Sequence, residues 1–129
     1  MPWISLGAAF GGLSVMLGAF GAHSLKATLT AKKLAVFQTA TQYLGYHALA
    51  LILLGIVCMQ IGEPDNKALK KSGIFFTAGI VLFSGSLYAL TFDGPKFFGP
   101  ITPLGGLSFM IGWFTFAWTI YKRTTSAGN

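Results

Sequence analysis

Four stretches of the chain, residues 2–22, 34–62, 73–92 and 97–121, contain no Asp, Glu, Lys or Arg. Each is long enough to cross a hydrocarbon core, which takes about 20 apolar residues. Within lipid, backbone polar groups must be satisfied inside the segment, so each stretch is expected to be a helix. The basic residues fall beside these stretches: Lys26, Lys32 and Lys33; Lys67, Lys70 and Lys71; Lys96; Lys122 and Arg123. That is the usual flank of membrane spans. It is not a basic stripe interleaved with aromatics, so the net charge of +6 does not point to nucleic acid. Only 9% of residues are charged, against about 25% in soluble domains. The expected fold is an all-α membrane protein, with four transmembrane helices in a compact up-down bundle forming one domain over 1–129. The lipid bilayer is the expected partner, together with a membrane-protein partner or a homo-oligomer.

Local chemistry sets the expected helix limits. The first helix is expected over 3–24, as a span and not as a cleaved leader, because its apolar run exceeds a normal leader core. The second is expected over 31–61. Thr30 can cap it, and Gly62 followed by Glu63-Pro64 should stop it. At 1.5 Å per residue that is about 46 Å, longer than the hydrocarbon core, so it should project, tilt or bend near Gly45, and its polar first turns favour projection. The third helix is expected over 66–91, capped by Asp65 or Asn66. Asp93-Gly94-Pro95 reads as a turn. The fourth is expected over 103–121, with Thr102 as N-cap and Pro103 at the first helical position. Trp113, Trp118 and Tyr121 suit an interfacial belt. The tail to Asn129 should be loose.

Small residues recur at alternating spacings of three and four along two of these helices. The first carries Gly7, Gly11, Ser14, Gly18 and Gly21; the fourth carries Gly105, Ser108, Gly112, Thr115 and Thr119. Such seams favour close helix approach, and the two are expected to pack on each other through Gly11, Gly18, Gly105 and Gly112. They also share an echo, GGLSVMLGAF at 11–20 and GGLSFMIGWF at 105–114. Helices 2 and 3 show no matching echo, so it reads as coincidence more readily than as an inverted repeat.

The second helix opens with Gln38, Thr39, Thr41, Gln42, Tyr43, Tyr46 and His47 before turning to plain hydrocarbon. These groups should be sheltered by protein. An up-down topology places His23, Gln42, Tyr43, Tyr46, His47, Ser84, Ser86, Tyr88 and Thr102 toward one membrane face, as a candidate polar pocket. His47 is expected to be buried and neutral, within reach of Tyr43, Ser84, Tyr88 or Thr102. The two histidines lie at different depths with no carboxylate between them, so no metal site is expected. No paired carboxylates and no complete triad can be assembled, so no catalytic residue, no cofactor and no enzyme activity is expected. Cys58 stands alone in an apolar helix and reads as an inert buried thiol. Five basic residues on the side of the termini against four on the other lean toward cytoplasmic termini.

Taken together, GAFGAH at 18–23, residues 38–51, SGSLYAL at 84–90 and GPITPLGG at 99–106 resemble one family. It is the small bacterial inner-membrane proteins catalogued as domain of unknown function 423, which have mitochondrial relatives. The resemblance covers nearly the whole chain in matching order. It implies four membrane helices and residence in the bacterial cytoplasmic membrane, and it carries no activity with it. The leading functional expectation is an accessory or interaction protein that supports a membrane complex or membrane integrity. The alternative is a protein that binds or transports a lipid, quinone or small solute in the pocket around His47.

Overall fold

The structure, a computed structural model, describes residues 3–127. Among these residues, four helices are long and apolar enough to span a membrane. They are α1 (Trp3–His23), α2 (Ala31–Gln60), α3 (Lys67–Thr91) and α4 (Phe98–Ala127). The protein is an all-α membrane protein with up-down connections. Of the expected loose tail, residues 128 and 129 lie outside the described residues, and α4 itself continues past Tyr121 to Ala127.

The helix ends follow from side-chain and backbone chemistry. The Thr30 hydroxyl accepts from the Lys33 amide at 3.2 Å, and Asn66 Oδ1 accepts from the Leu69 amide at 3.0 Å. Each satisfies one of the free donors of a first turn. α2 ends where Gly62 adopts φ +70°, and the Glu63 amide turns back to the Cys58 carbonyl. α3 ends on Asp93 at φ 61°, with the Gly94 amide bonded to the Ala89 carbonyl at 2.7 Å. Left-handed residues close helix ends in this way because they aim the next amide at an orphan carbonyl. Two ion pairs clamp opposite ends of the bundle: Lys33 with Asp93, and Arg123 with Glu63.

The start of α4 differs from the expectation. It begins at Phe98, five residues before Pro103, which lies inside the helix. Pro100 falls in the first turn, where an amide has no bond to lose, so only Pro103 gives one up. Thr102 does not cap. Its hydroxyl returns to the Phe98 carbonyl and meets the Ser86 hydroxyl on α3.

The small-residue seams do not meet each other. α1 packs antiparallel on α2, and α4 antiparallel on α3, while α1 and α4 have no extended contact. A Cβ added to Gly7 would lie 2.6 Å from the Ala48 carbonyl oxygen, so Gly7 touches α2. Gly105 and Gly112 face α3, at the Phe83 backbone and the Phe76 ring. Gly11 has nothing within 4 Å of a Cβ position, and Gly18 is exposed with only a Thr41 methyl nearby. Periodicity marked the faces correctly as small, but each seam meets its neighbour in sequence, because short loops bring consecutive helices together.

α3 is not uniform. Its middle, Ile80–Ser84, is π-helical between α-helical Lys67–Gly79 and Gly85–Thr91. The wider turn carries the Phe83 backbone against Gly105 and leaves both Ser84 and Ser86 buried. The main core lies between α2, α3 and α4, around Leu44, Leu51, Leu54, Leu69, Phe76 and Phe109. Trp3 closes its far end, 5% exposed, its ring lying where a side chain on Gly73 would stand.

Candidate functional site

Depth in the membrane can be read from paired residues on neighbouring helices. Ser84 Oγ donates to the Ala40 carbonyl at 2.7 Å, and the Tyr88 and Thr41 hydroxyls meet at 2.7 Å. Phe92, the end of the uncharged part of α3, lies eight residues beyond Ser84 and therefore about two turns outside the level of Ala40 on α2. By the 1.5 Å rise, Gln42 sits about 15 Å and Tyr46 about 21 Å inside that edge. His47 lies within a core of about 30 Å, past its middle.

There α2 and α4 are bridged by aromatic side chains, without extended backbone contact. His47 is buried on α2 and stacks on Phe109 of α4, with ring centroids 3.5 Å apart and planes 10° from parallel. Trp113 Nε1 donates to His47 Nε2 at 3.0 Å, and His47 Nδ1 lies 2.8 Å from the Tyr43 carbonyl. An indole N–H can only donate, so Nε2 carries no proton. Nδ1 then carries it and donates to the Tyr43 carbonyl. The imidazole is neutral, in one tautomer, with both nitrogens occupied. This arrangement fixes the ring orientation.

Beside this stack is a groove of about 490 Å³, lined by Tyr43, Tyr46 and His47 from α2, Phe83 from α3, and Gly106, Phe109 and Trp113 from α4. Its walls are mainly aromatic faces. The tyrosine hydroxyls are its polar feature, since Trp113 Nε1 and His47 Nε2 are paired with each other and His47 Nδ1 with the Tyr43 carbonyl.

The nine residues expected to form one polar pocket are not gathered in one place. Ser84 and Tyr88 join α3 to α2, and Ser86 with Thr102 joins α3 to α4. None of these four is a hydrogen-bond partner of His47. His23 is exposed at the end of α1, because the helix ends there and the chain turns away. Gln42 and Tyr46 lie on the outer face of α2, where Gln42 Nε2 donates to the Tyr46 hydroxyl at 2.7 Å. Tyr43 edges the groove, 37% exposed. What unites most of these groups is joining helices, as expected where lipid offers no partner and no hydrophobic force drives helices together.

The sequence reading missed Trp113 and Phe109 as partners of His47, and Ser108, which donates to the Phe75 carbonyl at 2.7 Å. Trp113 looked like an interfacial residue. Its signal was position: it follows Gly112 and lies one turn beyond Phe109, at the border of the inward small seam. Trp3 was also missed, and its indole nitrogen is buried with no partner among the described residues.

Comparison with known proteins agrees with this architecture. The profile of a family described as "Protein of unknown function (DUF423)" matches residues 17–106. The UPF0382 membrane protein YwdK of Bacillus subtilis is 43% identical over 111 residues, 86% of this chain and 89% of its own length. The UPF0382 membrane protein SAB0533 of Staphylococcus aureus is 40% identical over 120 residues, 93% of this chain and 95% of its own. The UPF0382 inner membrane protein YgdD of Escherichia coli is 41% identical over 103 residues, 80% and 76%. No solved structure matches the chain.

Proposed function

Since the chain belongs to the DUF423 family of bacterial inner-membrane proteins, we propose that it is a non-enzymatic accessory protein that works by engaging another membrane protein within the bilayer. The observation that carries this reading is the Gln42–Tyr46 pair, exposed on α2 at hydrocarbon depth. A polar side chain facing lipid is unfavourable, and intramembrane polar groups normally face protein or trapped water. One hydrogen bond joins the pair. The Gln42 carbonyl oxygen and its second N–H have no other partner among the described residues. A protein surface would supply them. The inner polar groups also support a structural reading, because His47, Ser84, Tyr88 and Thr102 are all occupied in holding helices.

The test is isolation of the full chain in mild detergent, followed by native mass spectrometry. A stoichiometric protein partner is expected, and it should be lost from Gln42→Leu combined with Tyr46→Phe. Wild-type protein that carries only lipid and detergent would refute the reading.

A second reading rests on the aromatic groove. Its volume and lining suit an apolar chain or a flat ring of the lipid or quinone class better than a small polar solute. A defined lipid retained by wild type and expelled by Gly106→Leu would favour this reading.

A further inference from the structure

We infer that the partner met by this face is a second copy of the same chain, paired in parallel along α2. The inference rests on the accessory reading above and names its partner. The outer face of α2 carries Gln38, Gln42, Tyr46, Leu49, Leu53 and Ile56, all exposed, at successive spacings of four, four, three, four and three. This is a heptad-like stripe of the kind that winds one helix around another. α1 packs on one side of the stripe, and the groove toward α4 lies on the other. The stripe itself is covered by nothing among the described residues. Its apolar half shows Leu49 60% and Leu53 54% exposed.

Membrane insertion supplies the geometry. Copies inserted with the same orientation can be related only by an axis along the membrane normal. Helix α2 then meets α2 in parallel, and each stripe residue faces its own counterpart. Such pairing is acceptable only where a residue complements itself. A carboxylate or an ammonium does not, and α2 carries no charge between Lys33 and Glu63. A glutamine amide does, because it holds a donor and an acceptor of opposite partial charge. The free Gln42 carbonyl oxygen accepts from the partner's amide while the free N–H donates back, giving two reciprocal hydrogen bonds. Gln38 repeats the arrangement one turn nearer the surface. Leu49, Leu53 and Ile56 meet their like in the apolar half. A polar end on an otherwise apolar stripe also fixes register, since a slip by one heptad would set Gln42 against Leu49.

Cysteine cross-linking of the full-length protein in native membranes tests this. Leu49→Cys and Ile56→Cys should give a disulfide-linked dimer under mild oxidation. Phe114→Cys on the outer face of α4 and Ile74→Cys on α3, both exposed, should not. The native Cys58 is buried and serves as an internal control. Gln42→Leu should lower the cross-linked fraction roughly tenfold at limiting expression, and Gln42→Asn should restore most of it. Gln42, Leu49 and Ile56 are all exposed, so these substitutions are expected to leave the fold intact. Equal cross-linking at Phe114→Cys, no cross-link on α2, or full cross-linking of Gln42→Leu would overturn the inference. A stoichiometric partner of different mass with no homodimer would refute the second copy and leave the accessory reading standing. A monomer with no protein partner would refute both.

Discussion

The same motif is used in two ways at opposite ends of the chain. GGLSVMLGAF on α1 and GGLSFMIGWF on α4 agree at seven of ten positions. On α4 the motif is consumed by packing. Gly105 lies against the Phe83 backbone, where a Cβ would stand 2.3 Å from the nitrogen, and Ser108 donates to the Phe75 carbonyl. On α1 the equivalent Gly11 meets nothing, and Ser14 turns back to the Gly11 carbonyl on its own helix. Small residues permit close approach but do not summon a partner. On α4 the π-helical turn of α3 brings backbone into the seam. On α1 the helix opposite is the regular α2, and its closest contacts fall at Gly7 and Gly21, with Ser14 in looser contact with Gly45 between them.

This contrast can be broken most forcefully at Gly105. Gly105→Leu should drive a side chain into the Phe83 backbone and cost about 3 kcal/mol, read as loss of folded yield in detergent. Next comes the bridge across the groove. His47→Leu leaves the Trp113 N–H unpaired, and Trp113→Phe leaves His47 Nε2 unpaired. Each should cost about 1–2 kcal/mol. A double-mutant cycle by chemical unfolding should find them coupled, and additive losses would show that the two rings are merely neighbours. Ser108→Ala should cost about 0.6 kcal/mol, the mean for a side-chain bond between membrane helices. Ser14→Ala should be nearly neutral, because only a bond within one helix is lost. The smallest effect is expected at Gly18→Leu, within about 0.5 kcal/mol of the parent, as for other exposed sites. A large loss there would restore the direct pairing of α1 with α4 that periodicity alone implies.

What was legible in the sequence was local. Charge gaps delimit the spans, and Thr30, Asn66 and Gly62 act at helix ends through atoms within a few residues of themselves. What was not legible depended on another helix. Thr102-Pro103 has every local mark of a helix start, yet Ser86 takes the Thr102 hydroxyl and the helix begins earlier. Gln42 and Tyr46 read as groups to be sheltered, yet they lie outside, because the inner face of α2 is filled by Phe37, Leu44 and His47. The partner of His47 was hidden for the same reason. An indole fifteen residues into α4 is a neighbour only once α3 and α4 have packed in their particular register.

The most direct measurement compares Gly105→Ala with Gly11→Ala, each adding one methyl group to the same place in the same motif. Unfolding free energies should be measured in bilayer-like detergent. Gly105→Ala is expected to lose about 2 kcal/mol. Gly11→Ala should be neutral or slightly stabilising, because alanine favours a helix over glycine. Equal losses at both positions, or a larger loss at Gly11, would contradict the account.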